Sequence, residues 1–188
     1  GVKNALQEID AEARQIGSTF DALLRIAQIE AGARRSRFQR LSLAPILRRL
    51  FDIYADVADD RGQQFALAVA DDLPDIDGDG ELLTQLFANL IENAIRHCPS
   101  GVLIEIGAAR AEDLLSVTCR DTGPGIPLEA RDKVFDRLYR LEKSRTTPGN
   151  GLGLSMVRAI ADLHGAGVQL TSGEPGLVVT MSFPVPAP

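Results

Sequence analysis

Cysteine is scarce in this chain of 188 residues, which has only Cys98 and Cys119. The two lack CxxC spacing and any local cluster of metal ligands, and they read as buried thiols in a reducing compartment, the cytoplasm. Long apolar runs are also missing. None approaches the roughly 18 residues that a transmembrane helix needs. Excess positive charge is absent too: a net charge of −6 argues against a general binder of nucleic acid or membrane surface. No signal-peptide pattern opens the chain, which starts in what reads as the middle of a helix. What is present is 45% apolar residues, an ordinary supply for a packed core. The length allows one domain plus an extension, or two small domains.

The strongest local pattern is TQLFANLIENAIRH, residues 84–97. Leu86, Leu90 and Ala94 recur at four-residue spacing with Phe87 and Ile91 beside them, which predicts an amphipathic helix with a wide buried face. Asn89 and Asn93 sit four apart and share another face of it. With Glu92, Arg96 and His97 they offer neutral oxygens, a carboxylate and a cation from one rigid surface. Hard cations such as Mg²⁺ take oxygen ligands of this kind. The same pair is equally readable as the polar edge of a half-buried helix.

Two glycine-bearing stretches follow. Asp121-Thr-Gly-Pro-Gly125 ends a predicted strand, and its glycines would let the backbone approach a flat ligand while Asp121 accepts a hydrogen bond from an exocyclic amino group. A tight turn after a strand reads the same way. Gly149, Gly151 and Gly153 immediately precede a helix, whose free N–H groups favour anions. No Gly-Lys-Ser/Thr follows, so this is not a Walker loop, and its placement is wrong for a dinucleotide fingerprint.

The remaining chain supplies the scaffold. Leu6, Ile9, Ala13, Ile16, Phe20, Leu23 and Ala27 form a heptad seam, predicting a long helix that packs lengthwise on others. Gly32 and the run Arg34, Arg35, Arg37 end it. Residues 36–43 read as an extended link, Pro45 opens a second helix reaching about Asp60, and Phe65, Leu67 and Val69 alternate as a strand. The Asp-rich run from Asp71 to Gly80 reads as a loop out of register for an EF-hand, with Asp79 as helix N-cap. Strands are expected near 102–108, 114–120, 168–172 and 177–183, with a weakly helical stretch at 128–136. His164 ends the last helix, a favourable place for a cation. Interleaved helices and hairpin strands predict an α+β protein, a mixed sheet covered by helices on one face.

The set Asn89-Leu-Ile-Glu-Asn93-Ala, Asp121-Thr-Gly-Pro-Gly125, Phe135-Asp-Arg-Leu-Tyr139 and Gly149-Asn-Gly-Leu-Gly-Leu154 resembles the catalytic domain of bacterial two-component sensor histidine kinases. Those domains share the Bergerat fold, a two-layer α/β sandwich, with DNA gyrase, a family of heat-shock chaperones and certain mismatch-repair ATPases. The resemblance covers about residues 43–184. It implies two parts: residues 1–35 as the second helix of a dimerisation and phosphoacceptor hairpin, and residues 36–188 as an ATP-binding catalytic domain. It implies ATP and Mg²⁺ as cofactors and, as partners, the acceptor hairpin of a homodimeric parent and the receiver domain of a response regulator. A parent anchored in the inner membrane fits the resemblance, with no membrane or nucleic-acid contact by this stretch.

Position by position, the resemblance makes Asn93 the Mg²⁺ ligand with Asn89 as a second ligand or support. Asp121 becomes the acceptor of the adenine amino group, directly or through a water. Gly123, Gly125 and Ile126 belong to the adenine pocket, Arg96 lies near the phosphates and His97 beside the nucleoside. Gly151, Leu152, Gly153 and Leu154 match the second glycine box at the phosphates. Residues 126–150 correspond to a mobile lid, with Lys143 and Arg145 as phosphate contacts and Phe135 and Tyr139 as anchors. Leu138 stands where the family often repeats Phe. The acceptor His belongs to a helix ahead of the one that opens this chain. Neither His97 nor His164 matches it, so a kinase fragment is expected, one that does not label itself. Two other functions are compatible with the boxes: a Bergerat ATPase, and a nucleotide-sensing scaffold without kinase activity.

Overall fold

The computed structural model describes residues 2–141 and 150–186, the side chains of residues 2–5 and 8 apart. The first helix, α1 (Val2–Glu30), is followed by the short strand β1 (Gln39–Leu41), α2 (Ala44–Asp59), β2 (Gln64–Val69), β3 (Ile76–Gly78) and α3 (Gly80–His97). Then come β4 (Leu103–Ala111), β5 (Leu114–Asp121), two 3₁₀ turns at Leu128–Ala130 and Lys133–Phe135, α4 (Gly153–Leu163), β6 (Gly167–Ser172) and β7 (Leu177–Pro184).

Five strands form one mixed sheet in the order β2-β4-β5-β7-β6. β2 and β4 are parallel, and the other pairs are antiparallel. Parallel neighbours cannot be joined by a hairpin, and α3 lies in the crossover between them. The buried face of the sheet follows the strand period of two: Ile104, Ile106 and Ala108 on β4, Leu115, Val117 and Cys119 on β5, Val179, Met181 and Phe183 on β7. Against it α3 packs eight buried residues, including Leu83, Leu86, Phe87 and Ile91. Each such side chain contributes about 1.5–3 kcal/mol of burial, which makes α3 the most heavily anchored helix of the layer.

Asp79 is the N-cap of α3 as expected, accepting from the N–H groups of Glu81 and Leu82. At the other end Gln63 Nε2 donates to the carbonyls of Ile95 and Cys98 at 3.0 and 2.7 Å, tying down the helix C-terminus.

Two expectations are corrected, and the packing of α1 is added to them. The link and the Asp-rich loop contain a separate two-stranded antiparallel sheet, β1 with β3, pairing Leu41 with Ile76. Apart from Leu23, the heptad seam of α1 is left exposed, and the domain is met by a shorter stripe beside it. Ala22, Leu23, Ile26 and Ile29 pack inward, while Leu6, Ile9, Ile16, Phe20 and Ala27 of the heptad pattern stay exposed. His164 is not a surface cation at a helix end. It is buried, stacked on Phe38, and holds a hydrogen bond at each ring nitrogen: Nδ1 to the Ile160 carbonyl at 2.7 Å, Nε2 from the Asp79 N–H at 3.1 Å. Accepting that N–H requires the neutral ring, and burial lowers its pKa accordingly. No helix among the described residues is long and apolar enough to cross a membrane.

Candidate functional site

The apolar row Leu115, Val117, Cys119 on β5 is continued by Asp121, so the pleat turns a carboxylate toward the helices where a hydrophobic side chain would otherwise sit. A cleft of about 530 Å³ opens there, between the C-terminal half of α3, the loop after β5 and the N-terminus of α4. Asp121 is only 8% exposed at its wall. Its Oδ1 accepts from the Gly123 N–H at 2.8 Å.

Of the residues singled out in the sequence, Asn93, Arg96, His97, Asp121, Gly125, Ile126, Gly151, Gly153 and Leu154 line this cleft. Asn89 does not. It lines a smaller polar hollow of about 180 Å³ next door, shared with Asn93, Glu92, Arg96 and Asn150. Its Nδ2 is turned toward the Gly153 carbonyl at 3.5 Å, which directs the amide oxygen away from that group. Leu152 is a core side chain, 2% exposed, and its N–H donates to Asn150 Oδ1. Lys143 and Arg145 lie outside the described residues.

The glycines are required by the protein's own packing. A Cβ at Gly123 would come within 2.5 Å of Cys98 Sγ. Gly125, at φ +69°, presses on the Gly176 carbonyl, and Gly151, also at +69°, on the backbone of Leu138 and Tyr139. Both glycines therefore need the left-handed region and also leave no space for a side chain. Gly153 differs. A Cβ there would sit 3.4–3.5 Å from the Asn93 carboxamide, in ordinary contact, so this glycine leaves the Asn93 amide open beside the first turn of α4.

Tyr139 lines the cleft, whereas Phe135 is outside its lining, with the Arg158 guanidinium 4.3 Å from its ring centroid. Leu138 is exposed, at φ +63°, and its N–H donates to the Gly151 carbonyl. That bond joins the segment around Leu138 to the turn at Gly151 by backbone alone. Cys98 and Cys119 both border the cleft, which their spacing did not foretell. Burial pushes both thiols up to about 12, with the Asp121 charge adding to the shift. His97 is held neutral: burial lowers its pKa first, then the Arg96 and Arg140 charges. Glu92 accepts the Tyr54 hydroxyl. Among the described residues no group of three or more His, Cys, Asp and Glu is placed to hold a metal. Side-chain oxygens of Asn89, Asn93, Glu92 and Asn150 line the adjoining hollow.

The family model described as histidine kinase-, DNA gyrase B-, and HSP90-like ATPase matches residues 78–187. The chain is 32% identical over 184 residues to the sensor protein DivL of Caulobacter vibrioides, covering 98% of this chain and 23% of DivL. It is 36% identical over 125 residues to the adaptive-response sensory kinase SasA of Thermosynechococcus vestitus, covering 66% of this chain and 33% of SasA. The chain thus spans about a quarter to a third of these relatives' lengths. Among solved structures, the catalytic domain of histidine kinase ThkA superposes with a TM-score of 0.70 at 24% identity, covering 79% of this chain and 97% of that one.

Proposed function

Since the chain belongs to the histidine kinase-, DNA gyrase B- and HSP90-like ATPase family, we propose that it is the ATP-binding kinase part of a sensor histidine kinase. In this reading it passes the ATP γ-phosphoryl group to a histidine on a partner helix hairpin, for relay to a response regulator. Residues 1–35 would be the second helix of that hairpin and residues 36–188 the catalytic domain. The observation that carries the reading is a pair of groups on the cleft wall: the buried carboxylate of Asp121, and the Asn93 amide, which faces the N-terminus of α4 across Gly153. The first suits a flat base with an amino group, the second an anion with its counter-ion.

Arg96 lies on the cleft wall together with His97 and Asn93, where a cation would attract the phosphates. The carboxamides of Asn93 and Asn89 fit a hard cation that keeps waters and phosphate oxygens in its shell. Mg²⁺ held there would neutralise charge building between the phosphates. The protein's share of the chemistry is then positioning and charge balance, with the acceptor imidazole as nucleophile.

Hydrolysis fits less well. The family resemblance puts the general base of hydrolytic members at position 89, and an asparagine amide takes no proton from water at neutral pH. Glu92 projects about 100° away from Asn93 around the helix and is engaged by Tyr54. Nor does His164 offer a nucleophile. The lone pair of His164 Nε2 is already accepting the Asp79 N–H, and the ring lies roughly 15 Å along α4 from Leu154.

Incubation with γ-labelled ATP tests this. The chain alone should remain unlabelled and turn ATP over slowly. Adding an acceptor hairpin should give acid-labile, base-stable labelling of the hairpin. Strong labelling of the chain alone, abolished by His97→Gln or His164→Gln, would overturn the assignment, as would rapid release of phosphate without an acceptor.

A further inference from the structure

Glu92 and Arg96 stand four residues apart on α3, so their side chains share one face of the helix. Both border the smaller polar hollow, and Arg96 alone of the two also borders the main cleft. An acid four residues ahead of a cation is the favourable order for a helical ion pair, and the exposed Arg96 side chain is long enough to make it. The pair is not made: among the described residues no ion pair joins Glu92 to Arg96. Glu92 turns instead to α2, where its Oε1 accepts the Tyr54 hydroxyl at 2.5 Å. Tyr54 lines neither cavity. It is half-buried with its ring packed against the core, so the fold, and not the site, holds its hydroxyl in place. Burial raises its pKa, and the bond to Glu92 adds to the rise, so the phenol stays a donor across the physiological range.

One cation thus has two anions within reach. A guanidinium on the rim of both cavities can serve a phosphate in the cleft or a carboxylate in the hollow, and attraction at short range favours whichever is held nearer. We propose that Tyr54 is a positioning residue for phosphate binding: by holding the Glu92 carboxylate toward α2 it keeps the Arg96 guanidinium available to nucleotide phosphates in the cleft. The proposal rests on the nucleotide reading above and adds to it a residue from another helix that lines no part of the site. A Glu92 released by Tyr54 would turn along the helix face and pair with Arg96, and a nucleotide would then have to break that pair before using the cation. Exposed pairs of this kind shift an equilibrium by up to about five-fold, so the device tunes affinity and does not decide whether binding occurs. Tyr54→Phe isolates the effect, since it removes the hydroxyl and leaves the ring in the core.

The test is calorimetric titration with ADP and Mg²⁺ of the wild type, Tyr54→Phe, Glu92→Gln and the double variant. Tyr54→Phe should weaken ADP binding by roughly two- to five-fold. In the Glu92→Gln background the same substitution should have no effect beyond the error of the titration, because a neutral amide does not draw the guanidinium away. It should be equally silent in an Arg96→Gln background, where no guanidinium is left to divert. A packing role alone would carry the same loss through all three backgrounds, which the cycle separates from a charge effect. Unchanged affinity in Tyr54→Phe, or an equal loss whether position 92 is Glu or Gln, overturns the proposal, while ADP binding by the wild type keeps the nucleotide reading intact. A wild type that does not bind ADP overturns both.

Discussion

Replacing Gly153 by alanine should separate binding from folding. Gly153 is the first residue of α4, and the added methyl would lie 3.4 Å from Asn93 Nδ2 and 3.5 Å from Oδ1. These are ordinary contact distances, so no strain is introduced. Alanine is worth up to about 1 kcal/mol over glycine within a helix, and less at its first turn. The midpoint of thermal unfolding should therefore hold or rise by roughly 2–4 °C at most for a chain of this size. Binding should respond in the opposite direction. A Mg²⁺ ligand oxygen sits about 2.0–2.1 Å from its ion, which also needs space for waters and phosphate oxygens. A methyl in contact with both ends of the Asn93 amide takes that space and blocks close approach of phosphate to the α4 backbone. A loss of at least about ten-fold in affinity for ATP with Mg²⁺ is expected, equivalent to roughly 1.4 kcal/mol. Calorimetric titration and thermal unfolding on one preparation provide both numbers. Unchanged affinity with an unchanged midpoint would show that the phosphates do not lie between Asn93 and α4. A midpoint lowered by several degrees would refute the packing argument.

Asp121→Asn should weaken ATP binding by about 1–3 kcal/mol, because half of the acceptor-only group becomes a donor; unchanged affinity by calorimetry would remove Asp121 from base recognition. His164 gives a pH dependence. Its pKa is lowered on folding, so the unfolded chain binds more protons; its contribution is complete above the unfolded value of about 6.5 and declines as pH falls from there toward the folded value. Thermal unfolding followed from about pH 7.5 to 5 should show stability falling in the wild type and falling less steeply in His164→Gln, and equal slopes would contradict the neutral-ring assignment. Finally, Ile16 and Phe20 are 70% and 65% exposed on α1, next to Leu6 and Ile9 at similar values. So long an apolar stripe should be covered by a second copy, giving a dimer in light scattering that Ile16→Glu disrupts. A monomer at every concentration tested would argue against that partner.

How legible all this was depends on the length over which a pattern runs. Helix α3 was readable because eight of its residues face one core at helical period, and its Asp79 cap adds a local signal at the start. Strands β4, β5 and β7 were readable for the same reason at period two. The β1–β3 pair was not. Three residues are too few to show alternation, and Ile76 sits in a run of aspartates and glycines whose composition signals a loop. Helix α1 was legible in part: the heptad stripe stands out, whereas the shorter stripe that meets the domain, Ala22, Ile26 and Ile29 with the shared Leu23, spans too few turns to be noticed beside it.

The site shows the limit more sharply. Motif residues declare which chemistry is available, but not which of them faces the ligand. Asp121 and Asn93 face the main cleft; Gly123 is behind Asp121, Leu152 is in the core and Asn89 is in the adjoining hollow. A glycine in a sequence reads the same whether it makes room for a phosphate or for another part of its own chain. Only contact distances separate the two: at Gly123, Gly125 and Gly151 the obstructing atoms are Cys98 Sγ, the Gly176 carbonyl and the backbone of Leu138 and Tyr139, whereas at Gly153 the neighbour is the Asn93 amide itself. The same reasoning applies to Cys98 and His164. Neither belongs to a spaced set, so composition alone made one a buried thiol and the other a helix-end cation. Cys98 comes to border Gly123 and His164 to meet Asp79, both distant in sequence, only when α3 has been laid against the strand or helix beside it. Groups of this kind carry no local signature, because the fold, not the neighbouring residues, defines what they touch.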